Sequence, residues 1–354
     1  MLIIRMWASL PAVVAAAVIA TGHIGAAVAI TSMYVLGDSS VDCGDNTPFY
    51  GLLHGSLSLF PCNGSDSTLL PHLLAKKMGL PKTTPFYTQN GTFSAILNGV
   101  NFGSASATIL HGSSQTYQTL NQQLRQAFET IQLVRLHLGE AASRQFVESA
   151  VFYLSFGKDD FIDYLLGNWS VSGYRYSGRE FTHILVRQMT NAVRNLYDSN
   201  VRKFICAGVV PLGCSPQLLL QFDRLSANCV DDVNILVEDY NARLEESLAA
   251  LGEELRDTVI IFCDVYAAMM ELITNPLAYG IEDVANACCG EGGSGEAAGC
   301  VSPGMACLDA STHVWWDLYN PTPAVNAMVA NSAWSGRPLS SVSRPITVRE
   351  LISP

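Results

Sequence analysis

The stretch Met33-Tyr34-Val35-Leu36-Gly37-Asp38-Ser39-Ser40-Val41-Asp42 decides how the rest of the chain is read. Met33–Leu36 reads as a short buried strand, and Gly37-Asp38-Ser39-Ser40 then breaks it. A serine therefore stands at the carboxyl end of the first strand. In an open parallel sheet that edge is where ligands bind. The same Gly-Asp-Ser triplet also suits an ordinary strand-to-helix turn with a capping side chain, so the surrounding pattern has to choose.

Four more apolar runs repeat the strand signal: Val100–Phe102, Val151–Phe156, Phe204–Val210 and Val259–Phe262. Helical spacing lies between them. Leu69, Leu70, Leu73, Leu74 and Met78 share one face, Leu120, Leu124, Phe128, Ile131 and Val134 another, and Val233, Leu236, Val237, Tyr240 and Leu244 a third. Strands alternating with helices predict an α/β fold: three layers, α/β/α, around a five-stranded, mostly parallel, flavodoxin-like sheet. No repeat or linker divides the chain, and residues 30–354 read as one domain.

The N-terminus reads separately. Arg5 precedes an apolar run from Met6 to Ala20, and Ala27-Val28-Ala29 fits a small-x-small cleavage pattern, so residues 1–29 are expected to be a secretory signal. An uncleaved anchor over Met6–Ile30 is the competing reading, weakened by Pro11, Gly22, His23 and Gly25. After cleavage no window long and apolar enough to span a membrane remains. The expected compartment is the secretory pathway, the apoplast first and the endoplasmic reticulum lumen second. Four of the 10 cysteines, Cys288, Cys289, Cys300 and Cys307, crowd into a Gly-rich stretch that reads as a disulfide-stapled loop in an oxidising lumen. Their spacing lacks the paired C-x-x-C of a zinc site, and no metal is expected. Cys206 and Cys263 sit in strand-like runs and read as free core thiols. Asn63, Asn90 and Asn168 begin N-x-S/T triplets and are candidate glycosylation sites.

Charge excludes one class of partner. With 20 Lys+Arg against 31 Asp+Glu the formal net charge is −11, and no basic cluster offers a footprint for nucleic acid. Gly290-Glu291-Gly292-Gly293-Ser294-Gly295 matches G-x-G-x-x-G but follows a cysteine pair rather than a strand, so it is a loop and not a nucleotide site. Trp315-Trp316 reads as packing for the wall of a site. No G-x-S-x-G elbow is present.

Ordered motifs run almost end to end: Gly37-Asp38-Ser39 with Val41-Asp42; Gly99-Val100-Asn101-Phe102-Gly103-Ser104-Ala105; Leu212-Gly213-Cys214-Ser215-Pro216; Cys229 with Asn234, Tyr240 and Asn241; Asp264-Val265-Tyr266; Cys288-Cys289-Gly290. Through them the chain resembles the plant GDSL esterase/lipase family of SGNH hydrolases. The resemblance implies Ser39 as nucleophile and the N–H groups of Ser39 and Ala105 as an oxyanion hole, with Asp38 and Gly157 in support and no cofactor. It implies acyl lipids, polyesters or acetylated wall polysaccharides as substrates.

Two positions depart from that family. Its third block is Gly-x-Asn-Asp, and here Gly157-Lys158-Asp159-Asp160 places a carboxylate where the family has an oxyanion donor. An ionised carboxylate only accepts hydrogen bonds. Its fifth block is Asp-x-x-His before Pro-Thr, and here Asp317-Leu318-Tyr319-Asn320-Pro321-Thr322 replaces the general base by Asn320. Of the seven histidines, His313 lies nearest in sequence but off the family position. Asp159 is the stronger substitute base, provided burial raises its pKa. The readings are an ester hydrolase or acyltransferase using Ser39, or an inactive lipid- or glycan-binding protein on the same scaffold.

Overall fold

The computed structural model describes residues 30–43, 68–88, 92–110, 118–166, 176–222, 228–290, 300, 304, 306–340 and 342–352. The expected signal segment and the triplets at Asn63, Asn90 and Asn168 lie outside these residues.

All five expected strands form one sheet: β1 (Met33–Gly37), β3 (Val100–Asn101), β4 (Val151–Ser155), β5 (Lys203–Ala207) and β6 (Val259–Cys263). The sheet is wider than the five strands expected. Two two-residue strands, β2 (Thr84–Pro85) and β9 (Ser343–Arg344), extend it to seven in the order β2-β3-β1-β4-β5-β6-β9. All pairings are parallel except β6 with β9. Strands of two residues carry no period-two pattern, which is why they leave no sequence signal. A separate two-stranded sheet pairs β7 (Asp283–Ala287) with β8 (His313–Trp315).

The central strands are buried along their whole length, as near-continuous apolar runs in a parallel sheet demand. Helices cover both faces. Leu120–Leu138, Gly178–Asp198 and Asp231–Glu254 belong to one layer, and Leu70–Lys77, Val265–Thr274 and Pro323–Ser335 to the other. Two of the long helices begin at capping boxes, Thr119 with Gln122 and Ser177 with Glu180, which satisfy the first backbone N–H groups.

The chain leaves β1, builds β2 and β3 on one side, then returns to place β4 on the other side of β1. That reversal is a switch point, and the carboxyl ends of β3, β1 and β4 open together there. The segments following these three ends carry Ala105, Ser39 and Asp159 respectively. Gly37 makes the turn possible: a Cβ there would lie 2.5 Å from Val41 Cγ2 and 2.6 Å from the Ser155 carbonyl oxygen.

The stapled loop is as expected, with disulfides Cys288–Cys307 and Cys289–Cys300 packed against Trp316. Cys214–Cys229 is a further disulfide, and Cys206 and Cys263 are free and buried.

Candidate active site

Ser39 meets Asp159. Its Oγ donates to Asp159 Oδ1 at 2.5 Å and its backbone N–H donates to Asp159 Oδ2 at 2.9 Å. Gly157 adopts φ 112°, a left-handed conformation that suits glycine, and starts the helix Lys158–Leu165 so that Asp159 turns back over the β1 end. Asp38 anchors that helix from the other strand: its Oδ2 accepts from Lys158 N at 2.9 Å, and its Oδ1 from Ser40 N at 2.9 Å and Ser40 Oγ at 2.6 Å. A carboxylate at a helix N-terminus is favoured by the unpaired N–H groups and the dipole.

Asp159 is buried, which disfavours its charge, and Asp38 adds like-charge repulsion; together they raise its pKa to about 7 against the opposing pull of Lys158 and the Ser39 hydrogen bonds. Its neighbour Asp160 does structural work. Burial raises its pKa well above the ordinary value, and its oxygens accept from Ile109 N at 2.8 Å and Leu110 N at 3.0 Å.

The expected oxyanion hole differs from its sequence reading. The Ala105 N–H is not open to a substrate oxygen, because it donates to Asp42 Oδ2 at 2.9 Å, and the Ser39 N–H is taken by Asp159. Carboxylates that the linear motif holds at a distance are folded onto both donors. Asp42 was legible only as part of the first motif, and nothing in the sequence pairs it with a residue 63 positions away.

The fifth motif forms a loop that closes on Asp317. Asp317 Oδ1 accepts from Tyr319 N at 2.9 Å and Asn320 N at 2.7 Å, and Asp317 Oδ2 accepts from Asn320 Nδ2 at 2.9 Å. Asn320 Oδ1 accepts from the ammonium of Lys158. His313 is not brought to Ser39: it opens β8, its Nδ1 lies 3.1 Å from Thr312 Oγ1 and its Nε2 4.0 Å from Asp283. His72 is a core histidine whose pKa burial lowers to about 4. Trp315 is buried with its Nε1–H on the Val284 carbonyl, which ties β8 to β7.

Three site residues escaped sequence reasoning. Besides Asp42, these are Lys158 and Gln123, whose side-chain amide pairs with both backbone groups of Gly37 at 2.9 Å and extends the β1 end as a strand would. Among the described residues no group of three or more His, Cys, Asp or Glu side chains is disposed to hold a metal ion. Nor is any described helix long and apolar enough to cross a membrane.

A serine after β1, a glycine-led block after β4 and an Asp-x-x-Asn loop before Pro-Thr form one ordered set, and the GDSL-like lipase/acylhydrolase family model matches residues 33–333. The chain belongs to that family.

Relatives of this GDSL-family chain include the Arabidopsis thaliana GDSL esterase/lipase 7, 30% identical over 337 residues, covering 90% of this chain and 91% of that one. The Arabidopsis thaliana GDSL esterase/lipase At1g71250 is 29% identical over 337 residues, covering 91% and 89%. An extracellular lipase from Streptomyces rimosus is similar over 85% of this chain and 99% of its own, at 15% identity and a TM-score of 0.40. Family membership makes the general class that of carboxylester hydrolases, esterases and lipases. The disulfides of this GDSL-family protein are consistent with a secretory route.

Proposed function

We propose that the protein hydrolyses acyl esters with Ser39 as nucleophile and Asp159, in place of the family histidine, as general base. One observation carries this reading: Ser39 Oγ–H points at Asp159 Oδ1 at 2.5 Å, and that carboxylate has its pKa raised to about 7. A base is most effective when its pKa lies near the working pH.

Asp159 takes the proton as Ser39 Oγ bonds to the acyl carbon, and the carbonyl π pair moves onto oxygen. The carboxyl group is then neutral and able to donate. It holds the Ser39 N–H more weakly and offers its own O–H to the new oxyanion, as a protonated carboxylic acid can in a buried site. Collapse expels the alcohol oxygen, which leaves with the proton from Asp159. In the second half the same carboxylate deprotonates water as it attacks the acyl carbon; collapse then breaks the C–Oγ bond, Ser39 Oγ takes the proton back from Asp159, and the acid is released. The substrate is an acyl ester of a lipid, polyester or acetylated polysaccharide, met along the secretory route.

A second reading, ligand binding without turnover, draws on the two carboxylates that cover the Ser39 and Ala105 N–H groups. Short- and long-chain p-nitrophenyl esters separate the two when assayed over pH 5–9 beside Ser39→Ala. The enzyme reading expects turnover that Ser39→Ala abolishes. Folded wild-type protein no faster than Ser39→Ala on any of these esters would overturn it in favour of binding.

A further inference from the structure

The side chain of Lys158 is buried, at 3% exposure, on the first turn of the helix that carries Asp159. Burying an ammonium is expensive unless it is paired and hydrogen-bonded. Here it donates to Asn320 Oδ1, and Asn320 Nδ2 in turn donates to Asp317 Oδ2 at 2.9 Å. Every hydrogen bond in this line runs from cation to anion: ammonium to amide oxygen, amide N–H to carboxylate. An asparagine fits such a line because it accepts at one end and donates at the other. A neutral imidazole donating to Asp317 would present its remaining nitrogen to the ammonium as an acceptor, and that nitrogen would no longer serve Ser39.

Resting on the Ser39–Asp159 reading above, we propose that Lys158, seated by Asn320 and Asp317, is the fixed counter-cation that allows Asp159 to act as a carboxylate base. It is a positioning residue, acting on Asp159 and not on the ester. The groups facing Asp159 are Asp38 from the β1 end, Lys158 and Asp160 from its own helix and Tyr319 from the 317–320 loop. Burial and Asp38 favour the protonated carboxyl, whereas Lys158 favours the ionised one. A protonated Asp159 cannot take the Ser39 proton. The arrangement also gives Asp317 and Asn320 a joint task in the absence of the imidazole, which is to hold the ammonium. Lys158 and Asn320 also line a cavity of about 50 Å³ whose walls are mainly apolar, among them Leu70, Phe156, Val209 and Val329.

The test reads Asp159 directly. Full-length protein labelled with ¹³C at the Asp carboxyl carbons is titrated by NMR as wild type, Lys158→Met and Lys158→Arg, with Asp159→Asn assigning the resonance. kcat/KM on p-nitrophenyl acetate is followed over the same pH range. Removing a nearby opposite charge should move the Asp159 midpoint up by about one unit or more. The acid limb of kcat/KM should move with it, lowering the rate at pH 7 about fivefold or more through kcat rather than KM. Lys158→Arg should return both toward wild type. A midpoint in Lys158→Met within about 0.3 units of wild type overturns the proposal. If Lys158→Met does not fold, Asn320→Leu, which removes the seat and keeps the ammonium, must shift the midpoint upward, and no shift overturns it equally. Turnover indifferent to Ser39→Ala is a separate failure, that of the dyad, and the titration distinguishes it because it needs no turnover.

Discussion

Replacing Asp159 by asparagine separates chemistry from stability at one atom position. In the wild type the two carboxylate oxygens accept from Ser39 Oγ at 2.5 Å and Ser39 N at 2.9 Å. An amide keeps one acceptor and gains two donors, so it can stabilise an oxyanion but cannot take a proton. A positioned general base is worth about 10²–10⁴-fold, and a restored oxyanion donor about 10²–10³-fold. Without the base Ser39 is not deprotonated and no oxyanion forms for the donor to meet. The expected net result is a loss of about 10²-fold or more in kcat/KM at pH 8. Stability moves the other way. Burial first, and Asp38 second, raise the pKa from 3.8 to about 7. The folded state therefore holds this proton more tightly than the unfolded chain. The stabilisation is complete below about pH 4 and is lost as pH climbs through 7. Above that, the ionised carboxylate costs the folded state about 4 kcal/mol relative to a neutral group. The amide of Asp159→Asn carries no charge at any pH. Urea unfolding followed by circular dichroism should thus show the variant near wild type at pH 4 and up to about 4 kcal/mol more stable at pH 8. A variant faster than wild type at pH 8, or a stability gain that ignores pH, would refute the reasoning.

Restoring histidine by Asn320→His should leave kcat/KM within about tenfold of wild type while Lys158 remains, because the imidazole then accepts from the ammonium that Asn320 Oδ1 now receives. The double variant with Lys158→Met should exceed either single change, and a large gain from Asn320→His alone would contradict the arrangement. Asp160→Ala strips the acceptors from the N–H groups of Ile109 and Leu110. At about 1–3 kcal/mol for each donor left unpaired, it should lower the urea midpoint at pH 7 by the equivalent of about 2–6 kcal/mol. An unchanged midpoint would mean that the segment after Ala105 is held by other contacts.

Much of this protein was legible in its linear order. The apolar runs at Met33–Leu36 and Val151–Phe156 and the helical spacing from Leu120 to Val134 are local periodicities, and the structure turns each into a buried strand or helix. The motif order placed Ser39, Asp159 and Asn320 in one family frame, and the match over residues 33–333 establishes the family. What tertiary structure alone decided is how the polar groups meet. Asp42 reaches Ala105 across 63 positions, Gln123 reaches Gly37 across 86, and Lys158 reaches Asn320 across 162. Periodicity says which face of an element is apolar, but it does not say which polar side chain from another element will be folded against it. The proton affinity of Asp159 belongs to that second kind of fact. It depends on burial and on Asp38 and Lys158 at fixed positions, and an isolated aspartate in solution has neither.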